Sequence, residues 1–354
     1  GAVILLLPAG GGPGPPPAPA EPLMLGHYRG TLTVPGGELP FGLEIAREGS
    51  KYVAYLINGK ERVRVPDVTV ASGRVEMNMP AFGNRLSAAI EGHELKGNVV
   101  LVKKDGKEQV IPFAAQHGVS YRFFAQPTTD NADLGGRWAV TFTDEDGKRT
   151  PAVGEFEQAH GVVTGTFLTG TGDHRFLAGE MRGEEFALSA FDGAHVYLYK
   201  GRINGRDELE GTYWSGLLWR ETFAGRRDEA ASLGELERAT QMRANAKVLE
   251  FTFPDLEGKP VSLSDERYKD KVVIIALAGS WCPNCHDEAA FLAPYHKANR
   301  ERGLEVVGLM FEQFGDMERA VPAVRAFRDK FGIEYATLIA GVNDKQNAAT
   351  RLPQ

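Results

Sequence analysis

Cysteine is nearly missing from this chain: 354 residues hold two, Cys282 and Cys285. No second pair exists to complete a tetrahedral zinc site around two thiolates. Positive charge is also short. Lys and Arg number 40 against 47 Asp and Glu, a net charge of −7, so no basic footprint for nucleic acid is present. Long apolar runs are missing too. Gly1-Ala-Val-Ile-Leu-Leu-Leu7 ends at Pro8 and is too short to span a bilayer. No Met starts the chain, no basic stretch precedes that run, and no lipoprotein-type Cys follows it.

What does follow the run is a stretch of little but Ala, Gly and Pro from Ala9 to Pro22, a linker composition. Residues 1–25 therefore read as the tail of a secretory signal or an N-terminal anchor joined to a linker, with a disordered apolar tail as the plainer reading. Glycine is plentiful, 42 residues, and most of it precedes position 225. Residues 26–125 read as short strands broken by turn signals: His27–Val34, Phe41–Arg47, Tyr52–Asn58, Arg74–Met79, Leu86–Glu91 and Gly97–Lys103, with Asn58-Gly59 as a hairpin turn. Residues 126–227 repeat the scheme through Trp138–Thr143, Val162–Leu168, Arg175–Met181, Glu185–Ala190, His195–Ile203, Gly211–Ser215 and Trp219–Ala224. Gly26-His-Tyr28 is similar to Gly136-Arg-Trp138, and Ile90–Gly97 to Ile203–Gly211, at nearly the same offset. The expected architecture is an antiparallel meander or barrel, duplicated, either as two small domains or as one continuous unit. In the second half Asp192, His195, Trp214 and Trp219 are candidates to line a cup for a ligand or partner peptide. The competing reading is that the aromatics fill a small barrel and Asp192-Gly193 makes a turn.

Residues 228–246 are rich in Ala, Glu and Arg, with Leu233, Leu236 and Ala239 at helical spacing, and read as a connecting helix. Val272-Val-Ile-Ile-Ala-Leu-Ala278 then has the β-branched, unalternating pattern of a strand buried on both faces. Gly279-Ser-Trp-Cys-Pro-Asn-Cys-His286 follows, and a helix-compatible segment runs from Asp287 to Asn299. This order puts Cys282 at a helix N-terminus, where free N–H groups and the dipole stabilise a thiolate. Cys285, one turn on, is placed to resolve a mixed disulfide, and Pro283 suits the first turn. An inert bridge is a poor alternative, because so tight a ring staples almost nothing.

The region from 247 to 354 resembles the TlpA/ResA group of extracytoplasmic thiol-disulfide oxidoreductases, within the AhpC/TSA-redoxin family. The resemblance rests on Phe251-Thr-Phe-Pro-Asp-Leu-Glu-Gly-Lys-Pro-Val-Ser-Leu-Ser264, the apolar strand, Trp281-Cys-Pro-Asn-Cys285, and Gly303–Leu309 as the next strand. It implies a thioredoxin-like α/β domain and a role for Glu288, three residues past the second Cys, beside the dithiol. It also places Trp281 and Pro283 at the active-site rim. The family's fold continues into a strand bearing a cis-proline that faces the dithiol. Here Tyr335–Ile339 reads as a strand and Asp344–Arg351 as the start of a helix, Pro353 comes too early for that proline, and the central sheet is expected to keep an open edge.

Cys282-Pro-Asn-Cys-His286 also spells a haem attachment pattern, but a haem needs a distal ligand and a small helical domain. His286 reads either as a tuner of the thiolate or as a solvated helix residue. A peroxiredoxin would carry Thr where Gly279 stands. The expected whole is multidomain: a β-rich N-terminal region, then a thioredoxin-like domain. Its activity is dithiol/disulfide exchange in the cell envelope through Cys282, Cys285 and Glu288. No metal or organic cofactor is required, and the partners are substrate proteins and an electron donor. The alternative is a non-enzymatic envelope binding protein with a vestigial redoxin domain.

Overall fold

A computed structural model describes residues 22–79, 83–103, 106–205, 207–234, 242 and 248–352. The apolar run at 1–7, its linker as far as Glu21, and Pro353 lie outside the described residues, as does most of the connecting helix expected over 228–246.

The first sheet consists of β1 (Gly26–Val34), β2 (Gly37–Glu48), β3 (Lys51–Asn58), β4 (Glu61–Ala71), β5 (Arg74–Met79), β6 (Asn84–Glu91), β7 (Glu94–Val102) and β8 (Glu108–His117). Neighbours in sequence pair antiparallel, and β1 meets β8 to close a barrel. Alternation drives it: β6 turns Leu86, Ala88 and Ile90 inward and intervening residues outward. Closure leaves no free edge.

The second sheet consists of β9 (Gly136–Asp144), β10 (Arg149–Ala159), β11 (Val162–Thr169), β12 (Gly172–Asp173), β13 (Leu177–Arg182), β14 (Glu185–Phe191), β15 (Val196–Asn204), β16 (Glu208–Ser215) and β17 (Trp219–Arg227). Pairing of β10 with β11 closes this sheet as well, with β12 a two-residue appendage on β11. Trp138, Phe142, Phe156, Phe167, Tyr199, Tyr213 and Phe223 fill the interior. Both barrels open on the same device. Tyr28 donates its hydroxyl to the Met24 carbonyl (3.0 Å) and Trp138 its indole N–H to the Leu134 carbonyl (2.9 Å), each four residues back.

Three strand readings are corrected. The sequence pattern missed β8 and β10, which carry Pro112 and Pro151; both prolines are exposed, where no inward packing is lost. The strand expected from Arg175 begins at Leu177, and Arg175 itself has a left-handed φ of 64°.

The barrels are packed on one another. Phe191, Val196 and Leu198 of the second barrel join the hydrophobic core of the first, and Phe191 meets Phe41 edge-on at 4.8 Å. Asn58 is fully buried and bonds both the carbonyl (3.1 Å) and the N–H (3.2 Å) of Phe191.

The C-terminal part begins with a hairpin, β18 (Thr252–Pro254) and β19 (Pro260–Ser262). It continues as β20 (Val272–Ala278), α1 (Pro283–Asn299), β21 (Leu304–Glu312), α2 (Met317–Phe331), β22 (Ala336–Val342) and α3 (Lys345–Arg351). The three later strands form a parallel sheet in the order β20-β21-β22. One apolar core lies between this sheet and α1 and α2; a second, including Phe251, Phe253 and Val261, fills the other face. Among the described residues β20 pairs on one side only, with Val272 and Leu277 exposed along it.

Candidate active site

Cys282 is the N-cap of α1. Its extended backbone (φ −95°, ψ 109°) ends the loop after β20, and its sulfur accepts the Cys285 N–H at 3.3 Å. Pro283 occupies the first turn, where no N–H is missed. A sulfur in the place usually taken by a capping hydroxyl or carboxylate faces the unpaired N–H groups of the helix. Both cysteines are free thiols, partly accessible to solvent.

Their acidities diverge. Cys282 is lowered to about 7: the Cys285 thiol hydrogen-bonds its sulfur, and the Cys285 N–H and the charges of His195 and Arg175 add to that against the cost of burial. Cys285 moves far up, because its proton is held by Cys282 and burial disfavours its charged form. Two thiols pushed apart in this way are chemically distinct, and Cys282 is the one that ionises near neutral pH.

The loop before Cys282 is held from behind. Ser280 donates its N–H and hydroxyl to Glu312, at 2.9 and 2.7 Å. Glu312 is 2% exposed, and burial raises its carboxyl. Trp281 donates its indole N–H to the Phe311 carbonyl at 2.8 Å, and its ring lies against Gly279, so it braces the loop from β21. His286 is buried, not solvated as one sequence reading had it. One ring nitrogen meets the Ser280 carbonyl at 2.7 Å and the other the Lys330 ammonium at 3.0 Å. Burial and Lys330 push its pKa down to about 3. With both nitrogens engaged, His286 has none free to ligate a haem iron.

Glu288 follows Cys285 on α1, and partial burial raises its carboxyl. Cys285 and Glu288 border a void of about 10 Å³ together with Tyr335 and Thr337, room for about one water. Buried Thr337 Oγ1 makes no hydrogen bond among the described residues.

The four β-region candidates separate. Asp192 is 1% exposed and accepts from the Ala194 and His195 N–H groups at 3.0 and 2.8 Å and from the His195 ring at 3.1 Å. Burial opposes its charge, but His195 and Arg175 overcome that and hold its carboxyl well below the usual range. His195 and half-exposed Trp219 line a cavity of about 240 Å³ with Lys103 and Gln109. Trp214 is elsewhere: its indole lies on Gly36, where a Cβ would come within 2.6 Å of the ring, so it packs the barrels together.

Sequence reasoning missed Arg175, Glu61 and Glu312. Arg175 lies buried between the second barrel and α1, bonding Asn284 Oδ1 (3.0 Å) and Asp287 Oδ2 (2.6 Å). Its one local signal was a non-glycine residue at a turn where the strand pattern falters.

Comparisons with known proteins match the C-terminal part of the chain. Thiol-disulfide oxidoreductase ResA of Bacillus thuringiensis (strain Al Hakam) is 27% identical over 99 residues, covering 28% of this chain and 53% of that protein. ResA of Bacillus subtilis (strain 168) is 27% identical over 89 residues, 25% of this chain and 45% of that protein. The chain thus spans about half the length of these curated relatives. A thiol:disulfide interchange protein of the thioredoxin family from Chlorobium tepidum is a structural neighbour at 25% identity and a TM-score of 0.23, covering 28% of this chain and 63% of that one. Residues 244–349 match the model of the AhpC/TSA family, and it is over this C-terminal part that the chain is related to the ResA thiol-disulfide oxidoreductases.

Proposed function

We propose that this protein is a thiol-disulfide oxidoreductase that exchanges a dithiol for a disulfide with protein substrates through Cys282-Pro-Asn-Cys285. The observation that carries the reading is the Cys282 sulfur capping α1 and accepting the Cys285 N–H. In the reducing direction the Cys282 thiolate attacks one sulfur of a substrate disulfide, and the other leaves as a thiolate. Cys285 then gives up its proton, with Glu288 the nearby acceptor, and attacks the Cys282 sulfur. The substrate's second sulfur departs, and the enzyme holds a Cys282–Cys285 disulfide. Two electrons have moved to the substrate, and a redox partner must return them. In the oxidising direction the same steps run backward. No metal or organic cofactor enters these steps.

The reading includes an envelope location, supported by the resemblance to the extracytoplasmic TlpA/ResA group and by the apolar run and linker at residues 1–22. No helix among the described residues is long and apolar enough to cross a membrane. A vestigial redoxin domain is disfavoured by the divergence of the two thiols, which an abandoned site has no need to keep. Insulin reduction tests the proposal. Wild type turns over with a dithiol donor, and Cys282→Ser does not. Equal rates for the two would end the reading, and a redox titration of the full-length protein then sets the direction of electron flow.

A further inference from the structure

The second barrel reaches the redox turn through Arg175. Arg175 lies between β12 and β13, its side chain 3% exposed. Nε donates to Asp192 Oδ2 (2.8 Å) and Nη2 to Glu61 Oε1 of the first barrel (2.9 Å). Nη1 donates to Asn284 in the first turn of α1 and to Asp287 just beyond it. Asn284 is one of the two residues between the cysteines. Gly172 of β12 lies flat against it, since a Cβ there would come within 2.7 Å of Asn284 Nδ2. One guanidinium therefore bridges both barrels and the redox turn. A planar five-donor fork suits this, and an ammonium would not span it.

We propose that Arg175 is a positioning residue of the redox centre, fixing the Cys282–Cys285 turn against the second barrel and lending it the positive charge that favours the Cys282 thiolate. The barrels then form part of the dithiol site. The inference rests on the thiol-disulfide reading above. Asp192, Glu61, Asp287 and, at 4.0 Å, Asp173 face the guanidinium. His195 stands behind Asp192, and Lys330 approaches the turn through His286. This surplus of carboxylates makes the cation important. Remove it, and Cys282 is left with a net negative neighbourhood that opposes its ionisation.

The test is the pH profile of Cys282 alkylation by iodoacetamide, read by mass spectrometry. Wild type is expected to show a midpoint near 7. Arg175→Gln is expected to move it up by about half to one pH unit. Alkylation is then about three- to tenfold slower well below neutral pH, and the two profiles converge where both thiols are fully ionised. Arg175→Lys, which keeps charge but not the fork, falls between. If circular dichroism shows that the Arg175 variants do not fold, Asn284→Ala takes their place, and a smaller shift in the same direction is expected. Superimposed profiles overturn the inference, as does a rate changed by one factor at every pH, which marks altered access and not altered charge. A wild-type Cys282 with an ordinary thiol midpoint and no insulin turnover would instead remove the thiol-disulfide reading itself, and this inference with it.

Discussion

Ser280 and Glu312 are joined twice: both the backbone N–H and the hydroxyl of Ser280 end on the one buried carboxylate, at 2.9 and 2.7 Å. The pair ties the loop that presents Cys282 to the end of β21, so the position of the Cys282 sulfur depends on a residue thirty positions away. Glu312→Ala leaves two buried donors without an acceptor, a cost of about 1–3 kcal/mol each way the loop settles. The expected outcome is a lower urea midpoint and faster exchange of the Ser280 amide hydrogen. An unchanged exchange rate would show that the loop is held by other contacts.

Thiol acidity carries a stability signature. The Cys282 pKa is lowered in the fold to about 7 from 9.0. Its contribution is therefore fully present above the unfolded value and is lost as pH falls through 7. Glu61 moves the opposite way, raised from 4.5 to about 7 by burial and by Asp192, and its effect lies in the acidic range below. Between pH 7 and 9 the reduced wild type should gain on the order of 1–2 kcal/mol relative to Cys282→Ser, discounted from the full shift because the sulfur keeps some access to water. Urea unfolding under reducing conditions at the two pH values measures this. A difference independent of pH would show that the thiol is not perturbed.

The redox turn was legible because everything it needs is local: an apolar strand, a cap, a proline and two thiols lie within fourteen residues of Val272. The barrels were legible in kind, since alternation and glycine turns report strands. Their closure was not, because pairing of β1 with β8 or β10 with β11 leaves no mark on either strand alone. Arg175, Glu61 and Glu312 were invisible for the same reason. Arg175 and Asn284 are 109 positions apart, and no spacing rule joins them. Asp192 and His195 were singled out as ligand contacts. Asp192 also anchors Arg175, and His195, which bonds Asp192, lines the cavity of about 240 Å³.

Glu288 offers a kinetic test. If its raised carboxyl takes the Cys285 proton, Glu288→Gln should leave the first thiolate attack unchanged and slow the resolving step by about tenfold or more. Mixed disulfide with a model substrate would then accumulate at Cys282 and be trapped by acid quench. Slowing of the first attack, without accumulation, would place Glu288 outside proton transfer.

Gly279 stands where a peroxiredoxin carries Thr, and the structure gives the reason no side chain fits. A Cβ at this position would lie 2.3 Å from the Trp281 indole nitrogen and 2.9 Å from the Phe311 carbonyl oxygen. The indole cannot yield without breaking its own bond to that same carbonyl, and the carbonyl belongs to a central strand. Gly279→Ala should therefore displace the Trp281 ring at a cost of about 1–3 kcal/mol. The Trp281 emission should change, and thiolate reactivity at Cys282 should fall as the loop shifts. Gly279→Thr should do more of the same and should not bring peroxidase activity with it. A Gly279→Ala protein with wild-type emission and alkylation rate would mean that Trp281 is not seated against β21, and that the brace behind the dithiol is absent.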